Sequence, residues 1–229
     1  MSKTSGGLGR SIGFNSLLLG AFALVTSLLL ASTYLNTRDR IAEAERLSAQ
    51  RGLLELFPAE SHDNDLLADV LPVPAHYLKT LGLRRPADVH VVRKAGEVTG
   101  FIVPAVAPDG YSGDIDMIIG INADGTLAGV RVTNHRETPG LGDKVELRKH
   151  SWILSFDGRS LGDPPRDRWT VTKHGGAFDQ FTGATITPRA VVHKVRDALL
   201  FHSEYGDELL AAALAITDEA IATDHGEQP

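Results

Sequence analysis

Asp179-Gln180-Phe181-Thr182-Gly183-Ala184-Thr185-Ile186-Thr187-Pro188-Arg189-Ala190 is the stretch whose reading decides the second half of the chain. It reads as a glycine-relaxed turn running into a helix. Thr187 fits the N-cap and Pro188 the first helical position, where a missing N–H costs nothing. Beyond it, Val191, Val192, Val195, Leu199 and Leu200 recur at helical spacing, which predicts an amphipathic helix to about Phe201. The hydroxyls of Thr182, Thr185 and Thr187 then gather at the positive end of a helix dipole, beside unpaired backbone N–H groups. That chemistry can hold a phosphate. An ordinary capped helix uses the same residue types, so the stretch alone leaves both readings open.

Composition narrows the rest. With 229 residues there is room for one medium domain and an anchor. The formal charge of −6, with no long basic run, argues against nucleic acid as a partner. There is no cysteine, which excludes disulfides, thiolate metal sites, cysteine-ligated iron–sulfur clusters and cysteine nucleophiles. No histidine or carboxylate spacing matches a zinc site or a nucleophile triad, and no metal is expected.

A glycine- and serine-rich leader, residues 1–11, carries Lys3 and Arg10. Phe14 to Leu35 then holds no charge, and about 22 helical residues span roughly 33 Å, enough for a bilayer core. A cleaved signal peptide would need a shorter apolar run and a small-x-small site; Ala31-Ser32-Thr33 keeps that alternative open. We expect a transmembrane helix over residues 12–36. Lys3 and Arg10 favour an inside N-terminus, although Arg38, Arg40 and Arg46 follow the span. The charged, helical pattern from Thr37 to about Phe57 predicts a stalk with a solvated face, and residues 58–87 a proline-broken lead-in.

Strands come next. Residues 89–93 and 98–103 flank Lys94-Ala95-Gly96-Glu97, a hairpin signature. Asp114 to Ile121 and Thr126 to Thr133 flank a turn containing Asp124-Gly125. A helix is predicted over Asp143 to Phe156, one more strand over Trp169 to Lys173, and a disordered acidic tail from Thr217. Strands, helix, strand, helix indicate an α+β fold, an antiparallel sheet with packed helices.

Between the second hairpin and the predicted helix lies His135-Arg136-Glu137-Thr138-Pro139-Gly140-Leu141-Gly142-Asp143-Lys144. Its glycines permit close backbone approach and Pro139 stiffens it, so Glu137, Thr138, Pro139, Gly140, Leu141 and Gly142 could lie against a flat ring. Most Pro-Gly loops are simply turns. His135 reads as a solvent-facing loop histidine, His174 as a loop residue, Asp114 and Asp116 as the polar face of a strand, and Trp152 as core. Lys173, beside His174, is a cation that could meet an electron-rich ring edge or a phosphate.

Asp179-x-x-Thr182-Gly183-Ala184-Thr185 resembles the flavinylation motif, in which a flavin transferase joins FMN to the last threonine through a phosphoester. The longer string from Phe178 to Val192, with Glu137 to Gly142 and Gly110-Tyr111-Ser112-Gly113, resembles the G subunit of the Rnf electron-transport complex. Resemblance covers roughly residues 98–198. It implies a single-pass protein of the bacterial inner membrane with its FMN domain on the periplasmic side, partnered by the other subunits of the complex. It further implies covalent FMN on Thr185, with Thr182, Gly183, Ala184 and Thr187 around the phosphate, residues 137–142 and Lys173 near the ring, and Asp179 recognised by the transferase. The isoalloxazine would carry electrons, and ferredoxin and NAD would bind partner subunits. The expected organisation is a leader (1–11), a transmembrane helix (12–36), a stalk and lead-in (37–87), an FMN-binding domain (88–205) and a tail (206–229). The C subunit of the sodium-pumping quinone reductase shares the motif and is the nearest alternative. A flavin-free binding or assembly module on a stalk, and a stand-alone extracytoplasmic reductase, are the others.

Overall fold

The computed structural model describes residues 5–224, and the described chain divides after Ala49 into two compact units. Residues 1–4 of the expected leader and residues 225–229 of the expected disordered tail lie outside the described residues.

Helix α1 is Ser5–Leu56. Its segment Gly13–Arg38, 26 residues and about 39 Å long, is long and apolar enough to cross a membrane. Leu17, Leu24 and Leu28 are exposed, so the segment is apolar around its circumference rather than along one stripe. The hydroxyls of Thr33 and Thr37 donate to the carbonyls of Leu29 and Thr33, each at 2.8 Å. These polar groups are thereby satisfied within the helix, as an apolar surrounding demands.

The second unit is built on a five-stranded antiparallel meander: β1 (Val70–Pro72), β2 (Asp88–Lys94), β3 (Glu97–Ala107), β4 (Ile115–Asn122) and β5 (Leu127–Asn134), paired in that order. Both expected hairpins are present. Within the proline-broken lead-in, Val70–Pro72 adds an edge strand to β2 that no periodicity announces in so short a piece.

Period two separates the sheet's faces. Val89, Val91, Phe101, Val103, Ala105, Met117, Ile119 and Ile121 belong to the main core, while Val92 and Ile102 belong to a smaller one. The main core is closed by helix α2, Ile186–Asp224, through Val191, Val192, Val195, Ala198, Leu199 and Phe201. On the other face sit Leu53, Leu56 and Phe57. A Cβ on Gly100 would stand 2.9 Å from the Phe57 ring, one on Gly120 3.1 Å from it, and one on Gly129 3.1 Å from Leu56. The three strand glycines thus form the seat for this apolar cap. Glycine inside a strand marks such a close approach, and burying one phenylalanine stabilises by about 1.5–3 kcal/mol.

Three expectations are corrected. Asp143 to Phe156 is not one helix but two 3-10 turns, Gly142–Val145 and Ser151–Phe156. Between them His150 is extended, and its Nδ1 accepts the Trp152 N–H at 3.0 Å, so a local side-chain bond displaces the helical ladder. Trp169 to Lys173 is not a strand; only Val171 makes a bridge, to Phe178, before the 3-10 turn Thr172–His174. This region is held by aromatic packing instead, with ring centroids 4.8 Å apart for Phe156 and Phe178 and 5.0 Å for Trp169 and Phe178. Finally, α2 does not stop near Phe201 or give way to disorder at Thr217 but runs to Asp224.

The distal part of α2 is fastened by Arg93, which is 7% exposed. Its Nε donates to Asp69 Oδ2 at 2.6 Å and an Nη donates to the Ala213 carbonyl at 2.8 Å. Removing the carboxylate leaves a buried guanidinium uncompensated. Asp69→Ala is therefore expected to cost about 3 kcal/mol and to lower the melting temperature by about 6–12 °C. Thermal unfolding followed by circular dichroism checks this; a midpoint equal to wild type would contradict the clamp.

Candidate functional site

The motif is anchored by its two phenylalanines. Phe178 and Phe181 are buried, the latter with its ring centroid 5.1 Å from that of Trp152. The Trp152 indole N–H donates to the Asp179 carbonyl at 2.8 Å, while the Asp179 side chain remains exposed. Phe181 and Ala184 then close a tight turn, with the Ala184 N–H donating to the Phe181 carbonyl at 3.1 Å. Gly183 has φ +81°, a conformation that costs an L side chain roughly 1–2 kcal/mol. The turn therefore needs its glycine.

Thr185 follows, and α2 starts at Ile186, with Arg189 N–H donating to the Thr185 carbonyl at 3.3 Å. Thr185, not Thr187, thus occupies the capping place, and Pro188 still falls within the first turn, whose N–H groups have no helical partner. Thr187 is fully buried, and its hydroxyl donates to Glu137 Oε2 at 2.5 Å. Thr185 is half-buried, and its hydroxyl makes no hydrogen bond among the described residues. The two threonines, alike in sequence, are chemically different.

Glu137 is 5% exposed, and its other oxygen accepts the Ser112 N–H at 2.9 Å. It therefore joins three segments: residues 110–113, the loop at residues 135–142, and the first turn of α2. The fit leaves no spare room. A Cβ on Gly142 would lie 2.8 Å from Glu137 Oε2, and one on Gly110 would lie 2.9 Å from Oε1.

The loop is stiffened from its other side. His135 is not solvent-facing as expected; its side chain is 9% exposed. His135 Nδ1 accepts the Glu137 N–H at 3.0 Å, which leaves the hydrogen of the neutral ring on Nε2, 2.8 Å from Glu146 Oε1. Burial pushes the Glu146 carboxyl up, but the His135 hydrogen bond, together with Arg148, holds it below the usual carboxylate value.

These segments enclose a cleft of about 350 Å³. Gly183, Ala184, Thr185 and Thr187 line one wall; Glu137, Thr138, Leu141 and Gly142 line the other. Thr182, Pro139, Gly140, Lys173 and Asp179 stand outside the lining. The Lys173 N–H instead donates to the Gln180 side chain at 3.0 Å. Two further lining residues, Tyr111 and Ile186, were not among the expected contacts, though Tyr111 lies in a segment already singled out. Tyr111 is 68% exposed, Leu141 42% and Ile186 39%. Exposed apolar groups around a cleft suit a planar aromatic ligand, and the volume lies within the range of small-molecule sites. The positive end of α2 and the unengaged Thr185 hydroxyl suit a phosphate at the cleft's base. The residues present therefore fit FMN.

Beyond this cleft, a groove of about 670 Å³ is lined by Arg189, His193, Lys194 and Asp109, among others. Burial, with the neighbouring Arg196 and Arg189 charges, pushes His193 below its ordinary value. Its Nε2 lies 3.2 Å from the Thr170 hydroxyl.

Comparison with known proteins agrees with this geometry. The family model described as FMN-binding domain matches residues 110–200, which span the three segments joined by Glu137 and most of the main-core face of α2. The model described as RnfG N-terminal region matches residues 1–56. The chain is 50% identical over 202 residues to the G subunit of the ion-translocating oxidoreductase complex of Pseudomonas aeruginosa, covering 88% of this chain and 94% of that one. The corresponding protein of Shewanella amazonensis is 46% identical over 194 residues, with 85% and 89% covered, and that of Vibrio atlanticus 43% over 205 residues, with 90% and 97% covered. Identity of this extent, over nearly the full length of each relative, means that the chain belongs to the family of G subunits of the ion-translocating oxidoreductase complex.

Proposed function

We propose that this protein is the membrane-anchored, FMN-carrying subunit of an Rnf-type ion-translocating oxidoreductase complex, and that its FMN is joined covalently to Thr185. The observation that carries the assignment is the hydroxyl of Thr185, which lines the cleft without a partner among the described residues, while that of Thr187 is committed to Glu137. Thr182 is exposed and outside the cleft. When bound, FMN supplies reversible electron transfer; the chain supplies attachment, orientation and the electrostatic setting. The apolar rim of Tyr111, Leu141 and Ile186 receives the ring, and the first turn of α2 faces the phosphate.

Attachment requires an activated FMN donor, by its chemistry a flavin dinucleotide held by a flavin transferase. The Thr185 Oγ–P bond forms, the pyrophosphate P–O bond breaks, AMP leaves with the electron pair, and the hydroxyl proton passes to a base on the transferase. Asp179, exposed and anchored through its backbone, is the group the transferase reads. The protein acts as an electron carrier and not as a self-sufficient enzyme. Ferredoxin and NAD are handled by partner subunits. The FMN domain lies on the periplasmic side of the inner membrane, an orientation supported by Lys3 and Arg10 ahead of the apolar helix.

Intact mass and peptide mapping of the full chain, co-expressed with a flavin transferase, test the attachment. Wild type is expected to gain one FMN on the peptide containing Thr185. Thr185→Val should lose essentially all of it and Thr182→Val should retain most; the reverse pattern would move the tether to Thr182. The cysteine-free sequence makes the orientation equally accessible to experiment. Ser155 is exposed, and Ser155→Cys should react with a membrane-impermeant thiol reagent in intact spheroplasts. Reaction only after lysis would reverse the orientation.

A further inference from the structure

Glu137 combines three properties that rarely coincide. It is 5% exposed, it lines the cleft, and among the described residues it makes no ion pair. Buried carboxylates ordinarily have a cationic partner. Here both oxygens act as acceptors, from the Ser112 N–H at 2.9 Å and the Thr187 O–H at 2.5 Å, which is the hydrogen-bonding role of an ionised carboxylate. Its charge is therefore held by two neutral donors and projects into the cleft. Its reach ties residues 110–113, with Tyr111, to the first turn of α2, and a side chain at Gly110 or Gly142 would collide with this carboxylate.

We propose that Glu137 is a positioning and potential-setting residue of the flavin cleft: its unpaired carboxylate holds the Tyr111 segment to α2 and makes the bound flavin harder to reduce. The inference rests on the FMN reading given above. Reduction adds electron density to the ring, and a fixed negative charge in a partly dry cleft opposes it more strongly than the same charge in water. Ser112 and Thr187 supply the hydrogen bonds that let the chain keep this charge buried.

Two substitutions separate charge from reach. Glu137→Gln keeps the length and loses the charge; Glu137→Asp keeps the charge but is one methylene too short to engage both donors. The full chain, co-expressed with the transferase and purified in detergent, is assayed for FMN by mass, for flavin midpoint potential by spectroelectrochemistry, and for iodide quenching of flavin fluorescence. Measured on the FMN-loaded fraction of the chain, Glu137→Gln is expected to raise the midpoint by about 30 mV, a tenfold change in the reduced-to-oxidised ratio of a two-electron couple. Glu137→Asp is expected to leave the midpoint near wild type and to raise quenching about twofold as the loops loosen. An unchanged or lowered midpoint in Glu137→Gln overturns the potential-setting role, as does an equal positive shift in both variants, which would assign the effect to lost packing. Wild-type quenching in Glu137→Asp overturns the positioning role, and decides the matter should Glu137→Gln not accumulate. Absence of FMN from the wild-type chain would instead remove the functional reading itself.

Discussion

The carboxylate of Glu137 sets the shape on which the site depends. Three segments far apart in sequence, residues 110–113, residues 135–142 and the first turn of α2, have little regular structure in common, and no strand pairing among the described residues joins them. The Ser112 N–H and the Thr187 hydroxyl meet on this one side chain, from positions 25 and 50 residues away. A buried hydrogen bond to a charged group contributes about 1.5–3 kcal/mol, and leaving the same group unsatisfied costs more. The loop is thus determined from both sides: outward by Glu137, and backward by His135, which is fixed to Glu146.

The sheet makes that arrangement possible by being covered on both faces. Alternation along β3 and β4 sends Phe101, Val103, Met117 and Ile119 towards α2 and leaves Ile102 and Ile118 for the other face. There, Gly100, Gly120 and Gly129 make space for Leu56 and Phe57. Because α2 is anchored along its length, by its apolar stripe near the start and by Arg93 near Ala213, its first turn is a rigid platform. Thr185 and Thr187 inherit their positions from that platform. A threonine on a mobile loop would not distinguish an engaged hydroxyl from a free one.

Much of this is legible in the residues, for identifiable reasons. The two hairpins follow from alternation and from turn residues at Gly96 and Gly125, both of which adopt positive φ. The amphipathic start of α2 follows from its valines. The Phe178 to Val192 string, through its resemblance to a known motif, points to Thr185. The segment between β5 and α2 departs from its sequence pattern because its order does not come from backbone periodicity. His150 interrupts a helical pattern by bonding to the Trp152 N–H, and Trp169 is buried among Phe156 and Phe178 instead of extending a strand. Such long-range aromatic packing leaves no local signature. For the same reason Lys173, close to the motif in sequence, stands outside the cleft, and Tyr111, distant in sequence, lines it. Thr187 has the sequence context of a cap, yet its partner, Glu137, lies 50 residues upstream, beyond the reach of any local pattern.

The openness of the cleft bears on what the proposed tether would contribute. About 350 Å³ is at the small end of ligand sites, and its rim residues Tyr111, Leu141 and Ile186 remain substantially exposed. A ligand held only by such a surface would have to offset lost translational and rotational freedom with few buried contacts. On the proposed reading, attachment at Thr185 meets that cost once, during maturation, and each later encounter of ring and rim is intramolecular, with a high effective concentration. The cleft is then free to stay shallow. A shallow cleft leaves part of the ring accessible to a redox partner, whereas deep burial would hold the cofactor firmly but place protein between donor and acceptor. An anchored carrier needs both retention and exposure. On the proposed reading, separating them, with retention at one threonine and orientation at a buried carboxylate beside it, would allow each to be met without compromising the other.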